Sequence, residues 1–145
     1  MLSASNVAVF TSGESAAGAV AGDDGTILID GGSIRTAGEG ATALAILDSG
    51  MIVVNGATLA AGNAATIGVV AGKGQASVTL GAGTVATENN GTLMQVERDV
   101  AGAAGVVTLN LDAGSTSAGD IVDDGTKTSG QTIVNLRENA RWTGI

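Results

Sequence analysis

The sequence predicts an all-β protein folded as a right-handed parallel β-helix, a solenoid in which each coil stacks on the one before. Three observations predict this fold: a repeated block with a step of about 25 residues, abundant glycine, and almost no aromatic side chains. Repeats of this length that consist of strands and turns form stacked coils, each of which contacts mainly its neighbours. We expect a single domain over residues 1–145, with about five to six coils that form a segment of a longer rod.

Each repeated block has two apolar residues separated by one position, then a turn rich in Gly, Asn and Asp, then a small residue. The blocks cover residues 27–33, 52–58, 78–84, 109–115 and 134–140. Their last residues are therefore 25, 26, 31 and 25 positions apart. Since side chains in a strand alternate between two faces, the second apolar residues should share one inward column. That column would consist of Ile29, Val54, Leu80, Leu111 and Leu136.

Further strand-sized segments lie between the blocks, so that each coil should contain three strands. Such segments cover residues 42–46, 66–69 and 92–96, and turns rich in Gly and Asn precede them. The first 25 residues carry the weakest pattern, with one strand at 7–10. We therefore expect an irregular first coil over residues 1–25 and regular coils over residues 26–145.

Composition favours this fold over its alternatives. The chain has 24 glycines among 145 residues, one Phe, one Trp and no Tyr, so its core must be thin and aliphatic. Gly and β-branched residues argue against a helical protein. A β-sandwich shares the frequent turns, but the longer step favours the solenoid. An apolar fraction of 44% with 14% charged residues argues against disorder.

The net charge of −8 argues against nucleic acid or an anionic membrane as a partner, because both bind clustered Lys and Arg. The six basic residues are scattered along the chain, and there is no cysteine for a disulfide or a thiolate. No run of eighteen apolar residues predicts a transmembrane helix. The first residues lack the basic region and apolar stretch of a signal peptide, so we expect none within this chain.

The repeat also has a recognisable sequence pattern. Residues 27–41 read Ile-x-Ile-x-Gly-Gly-Ser-Ile-x-Thr-x-Gly-x-Gly-Ala, and part of this pattern recurs over residues 54–64. The C-terminal third contains Gly-Asp-Ile at 119–121 and closes on Ala-Arg-Trp-Thr-Gly at 140–144. In these features, over residues 26–145, the chain resembles the passenger region of Gram-negative autotransporters, the pertactin-like β-helix proteins of type V secretion.

The resemblance implies a bacterial protein that is secreted or displayed at the cell surface or outer membrane, and most often an adhesin. It implies two partners: a host surface or extracellular-matrix protein, and a translocator β-barrel downstream in the full-length protein. No nucleic acid and no small-molecule substrate are expected. The alternative is a structural stalk or an autochaperone-like folding segment without a ligand of its own. A third, less favoured function is that of a carbohydrate-active β-helix enzyme.

The residues themselves argue against catalysis. Without His, Cys or Tyr, the chain lacks the usual general bases and thiol nucleophiles, so we predict no enzyme, no catalytic residue, no metal site and no cofactor. Adjacent carboxylates occur at Asp23 and Asp24, and again at Asp123 and Asp124. A Ca²⁺ site or an acid/base pair is one interpretation. A solvated turn is preferred, because each pair precedes a glycine.

Several motifs are interpreted as ordinary structure rather than binding sites. The glycine-rich segments 38–40 and 72–74 lack the spacing of a phosphate-binding loop, and the formal glycosylation sequon at 90–92 reads as a turn. Three threonines are spaced by 24 and 26 residues, as in a possible ice-binding ladder. The preference of threonine for β-strands explains them better. These are Thr42, Thr66 and Thr92.

The aromatic residues are expected near the two ends of the solenoid. Trp142 should cover the last coil rather than form a binding hot spot, and Phe10 should have a similar role at the other end. Surface ion pairs are expected between Arg137 or Arg141 and Glu138 or Asp112. The most exposed contact segments are expected at residues 99–105, 23–25 and 123–130.

Overall fold

The protein is a β-solenoid of about five turns built from three parallel sheets. The computed structural model describes residues 1–98, 105–124 and 130–144. Within these ranges every regular element is a strand. The prediction of a parallel β-helix is therefore confirmed, and the sandwich alternative, which requires antiparallel hairpins, is wrong.

The strands of each sheet follow one another at every third element. Sheet A contains β1 (Leu2–Ser5), β4 (Thr26–Asp30), β7 (Met51–Asn55), β10 (Ala76–Leu80), β13 (Val106–Leu111) and β16 (Gln131–Leu136). Sheet B contains β2 (Ala8–Thr11), β5 (Ser33–Thr36), β8 (Thr58–Ala61), β11 (Val85–Glu88), β14 (Thr116–Ala118) and β17 (Arg141–Thr143). Sheet C contains β3 (Ala19–Gly22), β6 (Leu44–Leu47), β9 (Ile67–Val70), β12 (Thr92–Glu97) and β15 (Asp120–Asp124).

Each coil passes through sheets A, B and C in that order. Coils 1 to 5 are β1–β3, β4–β6, β7–β9, β10–β12 and β13–β15, and β16–β17 begin coil 6. In sheet A, Ile27 pairs with Ile52, which pairs with Val78, and the column continues through Leu109 to Val134. These partners are 25, 26, 31 and 25 residues apart, so the predicted steps are confirmed for this sheet.

The core consists of aliphatic side chains stacked in inward columns. Ile29, Val54, Leu80 and Leu111 are buried in one such column, as predicted. Leu136 shares their register, but on coil 6 its side chain is 54% exposed. Burial in a solenoid thus depends on having a coil on both sides, as well as on facing inward.

The first coil is more regular than the sequence predicted. Leu2 pairs with Ile27, Ala8 with Ser33 and Ala19 with Leu44, each with a step of 25 residues. The pattern is weak because small side chains occupy many positions of this coil. Hydrogen bonds between strands do not depend on side-chain size, so the ladder continues through this coil.

One predicted alignment is wrong by a single residue. The repeat aligned Thr84 with Thr58, whereas the strand partner of Thr58 is Val85. The turn between β10 and β11 therefore contains one residue more than the repeat implied. Thr84 lies within this turn, where its buried Oγ1 donates to the carbonyl oxygen of Val54 at 3.0 Å and accepts from the Gly56 N–H at 3.1 Å.

Candidate functional site

The outward face of sheet C carries a groove with a volume of about 440 Å³. It extends from Ser15 in coil 1 to Gln95 in coil 4. The floor lies below its sides because two consecutive outward partners, Ala45 and Gly68, have almost no side chain. A Cβ atom at Gly68 would lie 2.9 Å from the Cγ2 atom of Thr42, so the Thr42 methyl group closes over this glycine.

The two sides of the groove differ in chemistry. Hydroxyl and amide side chains from the turns between sheets B and C line one side: Ser15, Asn63 and Asn90. The other side is a column in which Leu47 pairs with Val70, and Val70 with Glu97. Among the described residues that line the groove, Glu97 carries the only charge. The groove can thus offer hydrogen bonds, apolar contact and one carboxylate to a ligand.

Exposed apolar side chains extend this surface across the sheet. Val20 and Val122 are exposed at the two ends of the outward column that contains Ala45 and Gly68, and Leu47 and Val70 are exposed in the column beside it. Leu47 and Val70 are direct partners beside the groove, and adjacent exposed apolar side chains, unlike scattered single residues, are typical of an interaction site. Sheet C therefore presents the candidate binding face among the described residues.

A second polar feature lies at the corner between sheets C and A, where a buried arginine contacts partly exposed partners. Arg98 is 0% exposed, and its Nε atom lies 3.0 Å from Oδ1 of Asp123. Its Nη1 atom donates to the Gly105 carbonyl at 2.7 Å, and its Nη2 atom donates to the Gln131 carbonyl at 2.9 Å. The hydroxyl of Thr132 donates to Oδ2 of Asp123. These contacts join coils 4, 5 and 6.

The two acidic pairs lie in different surroundings. Asp23 and Asp24 form the turn between β3 and β4, with φ values of 50° and 63°, as a solvated turn requires. Asp123 was also predicted in a turn, but this is wrong. It occupies an inward position of β15, in register with Val96, because Arg98 provides a buried partner. Three coils separate the two pairs, so they cannot act as one site.

No three His, Cys, Asp or Glu side chains converge on a metal-sized site in the part of the chain that the structure describes. Likewise, the described ranges contain no helical segment of the length and hydropathy needed to cross a membrane. The expected contact segments at 99–105 and 123–130 fall largely on residues 99–104 and 125–129, which lie outside the described residues.

The aromatic predictions have opposite outcomes. Trp142 pairs with Ser117 in the inward column of sheet B and is 37% exposed, so it covers the last coil as predicted. Phe10 does not have the equivalent role. Val9 takes the inward position and pairs with Ile34, so Phe10 points outward and is 65% exposed.

The remaining motifs take the structural roles predicted for them. The segments 38–40, 72–74 and 90–92 lie in or next to turns between strands. The three threonines form no ladder: Thr66 is fully buried, whereas Thr42 and Thr92 are partly exposed. The expected ion pair between Arg137 and Asp112 is present, with Nε 2.8 Å from Oδ1.

Two features were missed at the level of the sequence. Arg98 lies two positions after the inward residue Val96, so strand alternation alone indicated that it faces the core. The groove was signalled by small residues at outward positions in neighbouring coils, Ala45 and Gly68. Neither signal identifies a ligand.

Searched against known proteins, the chain matches no family model, no curated protein and no solved structure.

Proposed function

We propose that this chain is a segment of a surface-exposed, autotransporter-like passenger rod that acts as an adhesin, with the groove on sheet C as its contact surface. The observation that carries the proposal is a groove that crosses four coils and combines amide, hydroxyl and apolar side chains. The proposed partner is a protein of the host cell surface or extracellular matrix. The proposed location is the bacterial cell surface, with a translocator barrel downstream in the full-length protein.

The geometry supports binding of an extended partner. Coils are spaced by about 4.8 Å, so the groove follows the rod for about 14 Å from coil 1 to coil 4. Asn63 and Asn90 provide amide groups in coils 3 and 4, which suit the exposed carbonyl and N–H groups of an extended polypeptide. Leu47 and Val70 provide apolar contact on the opposite side. The net charge of −8 favours a neutral or basic partner.

Binding of the isolated chain to immobilised extracellular-matrix proteins and to host cells tests the proposal. Ala45→Gln places a longer side chain on the groove floor, whereas Ala8→Gln places the same side chain on an exposed outward position of β2. We expect Ala45→Gln to weaken binding about tenfold or more and Ala8→Gln to leave it unchanged. No binding by the wild type, or equal effects of both changes, would contradict adhesion through this groove.

A second function is supported by the polar network around Arg98 and by the position of Trp142. Both tie together the last coils, as a structural stalk or an autochaperone-like folding segment would require. Surface display of the full-length protein separates the two functions. If the segment only supports folding, deletion of coil 4 abolishes display, and Ala45→Gln changes neither display nor adhesion. If it is the adhesive segment, Ala45→Gln abolishes adhesion at normal display.

A further inference from the structure

The connections between sheets C and A differ in length along the rod. Three residues connect β3 to β4 (23–25) and three connect β6 to β7 (48–50), followed by five between β9 and β10 (71–75). The next two connections are longer, with eight residues (98–105) and six residues (125–130). The two longest connections of this corner therefore follow strands of adjacent coils, β12 and β15.

Arg98 contacts the stem of each long connection. It is itself the first residue of the connection 98–105, and its Nη1 atom donates to the carbonyl of Gly105, the last residue, at 2.7 Å. This hydrogen bond closes the base of the first connection. A Cβ atom at Gly105 would lie 2.1 Å from the carbonyl oxygen of Gly74, so the end of this stem is held against the coil below.

The same guanidinium group closes the second connection. Asp123 precedes it, and Gln131 and Thr132 begin the strand that follows it. Arg98 Nε contacts both carboxylate oxygens of Asp123, at 3.0 and 3.2 Å, while its Nη2 donates to the Gln131 carbonyl at 2.9 Å. Thr132 completes the ring by donating to Asp123. One buried side chain thus contacts both sides of this stem.

We infer that Arg98 is a positioning residue that couples the stems of two neighbouring connections into one unit. The stem network consists of Arg98, Gly105, Asp123, Gln131 and Thr132. Because all five residues are bonded through one guanidinium, loss of that group frees both stems together. This inference does not depend on the proposed adhesion, since it concerns the order of the chain rather than a ligand.

The chemistry of the network explains why arginine occupies this position. A guanidinium presents five N–H donors in a rigid plane, so that it reaches a carboxylate and two carbonyl groups in different directions. An ammonium is a compact charge and cannot contact Asp123, Gly105 and Gln131 together. A buried charge without its partners is strongly unfavourable, so the fully buried Arg98 requires these contacts.

Amide hydrogen exchange tests the coupling. Arg98→Met should raise the exchange rates of residues 106–108 and 131–133 together by about tenfold or more, the change expected for loss of one hydrogen bond to a charged group. The matched control amides are 26–28 and 51–53, which begin the sheet A strands of coils 2 and 3. Their rates should stay unchanged. Unchanged rates in the stems, or an equal rise in the control amides, would overturn the inference.

The double change Arg98→Met with Asp123→Leu distinguishes positioning from simple stabilisation. Replacing both charges by apolar residues of similar size often preserves stability. We expect a melting temperature near that of the wild type, with stem exchange still raised, because the contacts to Gly105 and Gln131 are absent. Wild-type exchange in this variant would overturn the inference. If Arg98→Met does not fold, the double variant and Arg98→Lys provide the same comparison, and Arg98→Lys should also release both stems.

Discussion

Trp142 and Ser117 are direct partners in the parallel register of sheet B, and both side chains occupy its inward column. The indole Nε1 donates to the carbonyl of Gly119 at 3.0 Å. Ser117 is buried, and its hydroxyl has no hydrogen-bond partner among the described residues. Trp142 therefore covers a serine hydroxyl that is removed from water without a hydrogen bond in return. Such burial destabilises the folded state.

Removal of this hydroxyl should stabilise the protein. Ser117→Ala eliminates a buried polar atom that makes no hydrogen bond, and we expect the free energy of unfolding to rise by about 1 kcal/mol. Ser115→Ala is the matched control, because Ser115 is equally buried but its Oγ donates to the Asp112 carbonyl at 2.7 Å. That change should lower the free energy by about 1 kcal/mol. Urea denaturation measures both, and a similar loss in both variants would refute the assignment.

The inward column of sheet A predicts a graded cost of truncation. Leu80 is 0% exposed between coils 3 and 5, so Leu80→Ala should lower the free energy of unfolding by about 2–5 kcal/mol. Leu136 has the same register but is 54% exposed, and Leu136→Ala should cost well under half as much. Equal costs, measured by chemical denaturation, would contradict the difference in burial between these two positions.

The turn between β10 and β11 predicts a specific role for the Thr84 hydroxyl. Thr84→Val keeps the shape of the side chain but removes its hydrogen bonds with Val54 and Gly56, so we expect a loss of about 2 kcal/mol. Thr58→Val makes the same change at an exposed strand position and should stay within about 0.5 kcal/mol of the wild type. Thermal melting of the two variants measures this difference. Equal melting temperatures for both variants would disprove the role of the Thr84 hydroxyl.

Features that repeat could be predicted from the sequence. The column from Ile29 to Leu111 follows from strand alternation and from the recurring block of apolar residues and turn residues, both of which leave a pattern in the chain. The prediction for Phe10 is wrong because strand alternation, which puts Val9 inward, decides the direction of a side chain whatever its size. Thr84 was shifted by one position because an added turn residue leaves no signature in a glycine-rich segment.

Features that occur once were harder to predict. Asp123 was assigned to a turn because it lies two residues before a glycine, yet its position is set by Arg98, which lies 25 residues earlier in the chain. The contact between Arg98 and Asp123 cannot be predicted from the residues next to either of them. The groove on sheet C is similar, since Ala45 and Gly68 form a floor only when coils 2 and 3 are stacked in register. Non-local contacts of this kind require the three-dimensional arrangement.

The stacking register is the central claim, and engineered disulfides test it directly in a chain that has no cysteine of its own. Asn110 and Asn135 are outward partners on β13 and β16, linked by a hydrogen bond of 2.8 Å. We predict that Asn110→Cys with Asn135→Cys forms an intramolecular disulfide on mild oxidation, as mass spectrometry would show. Thr108→Cys with Asn135→Cys, displaced by two residues, should stay reduced. The opposite result would contradict the parallel solenoid described above.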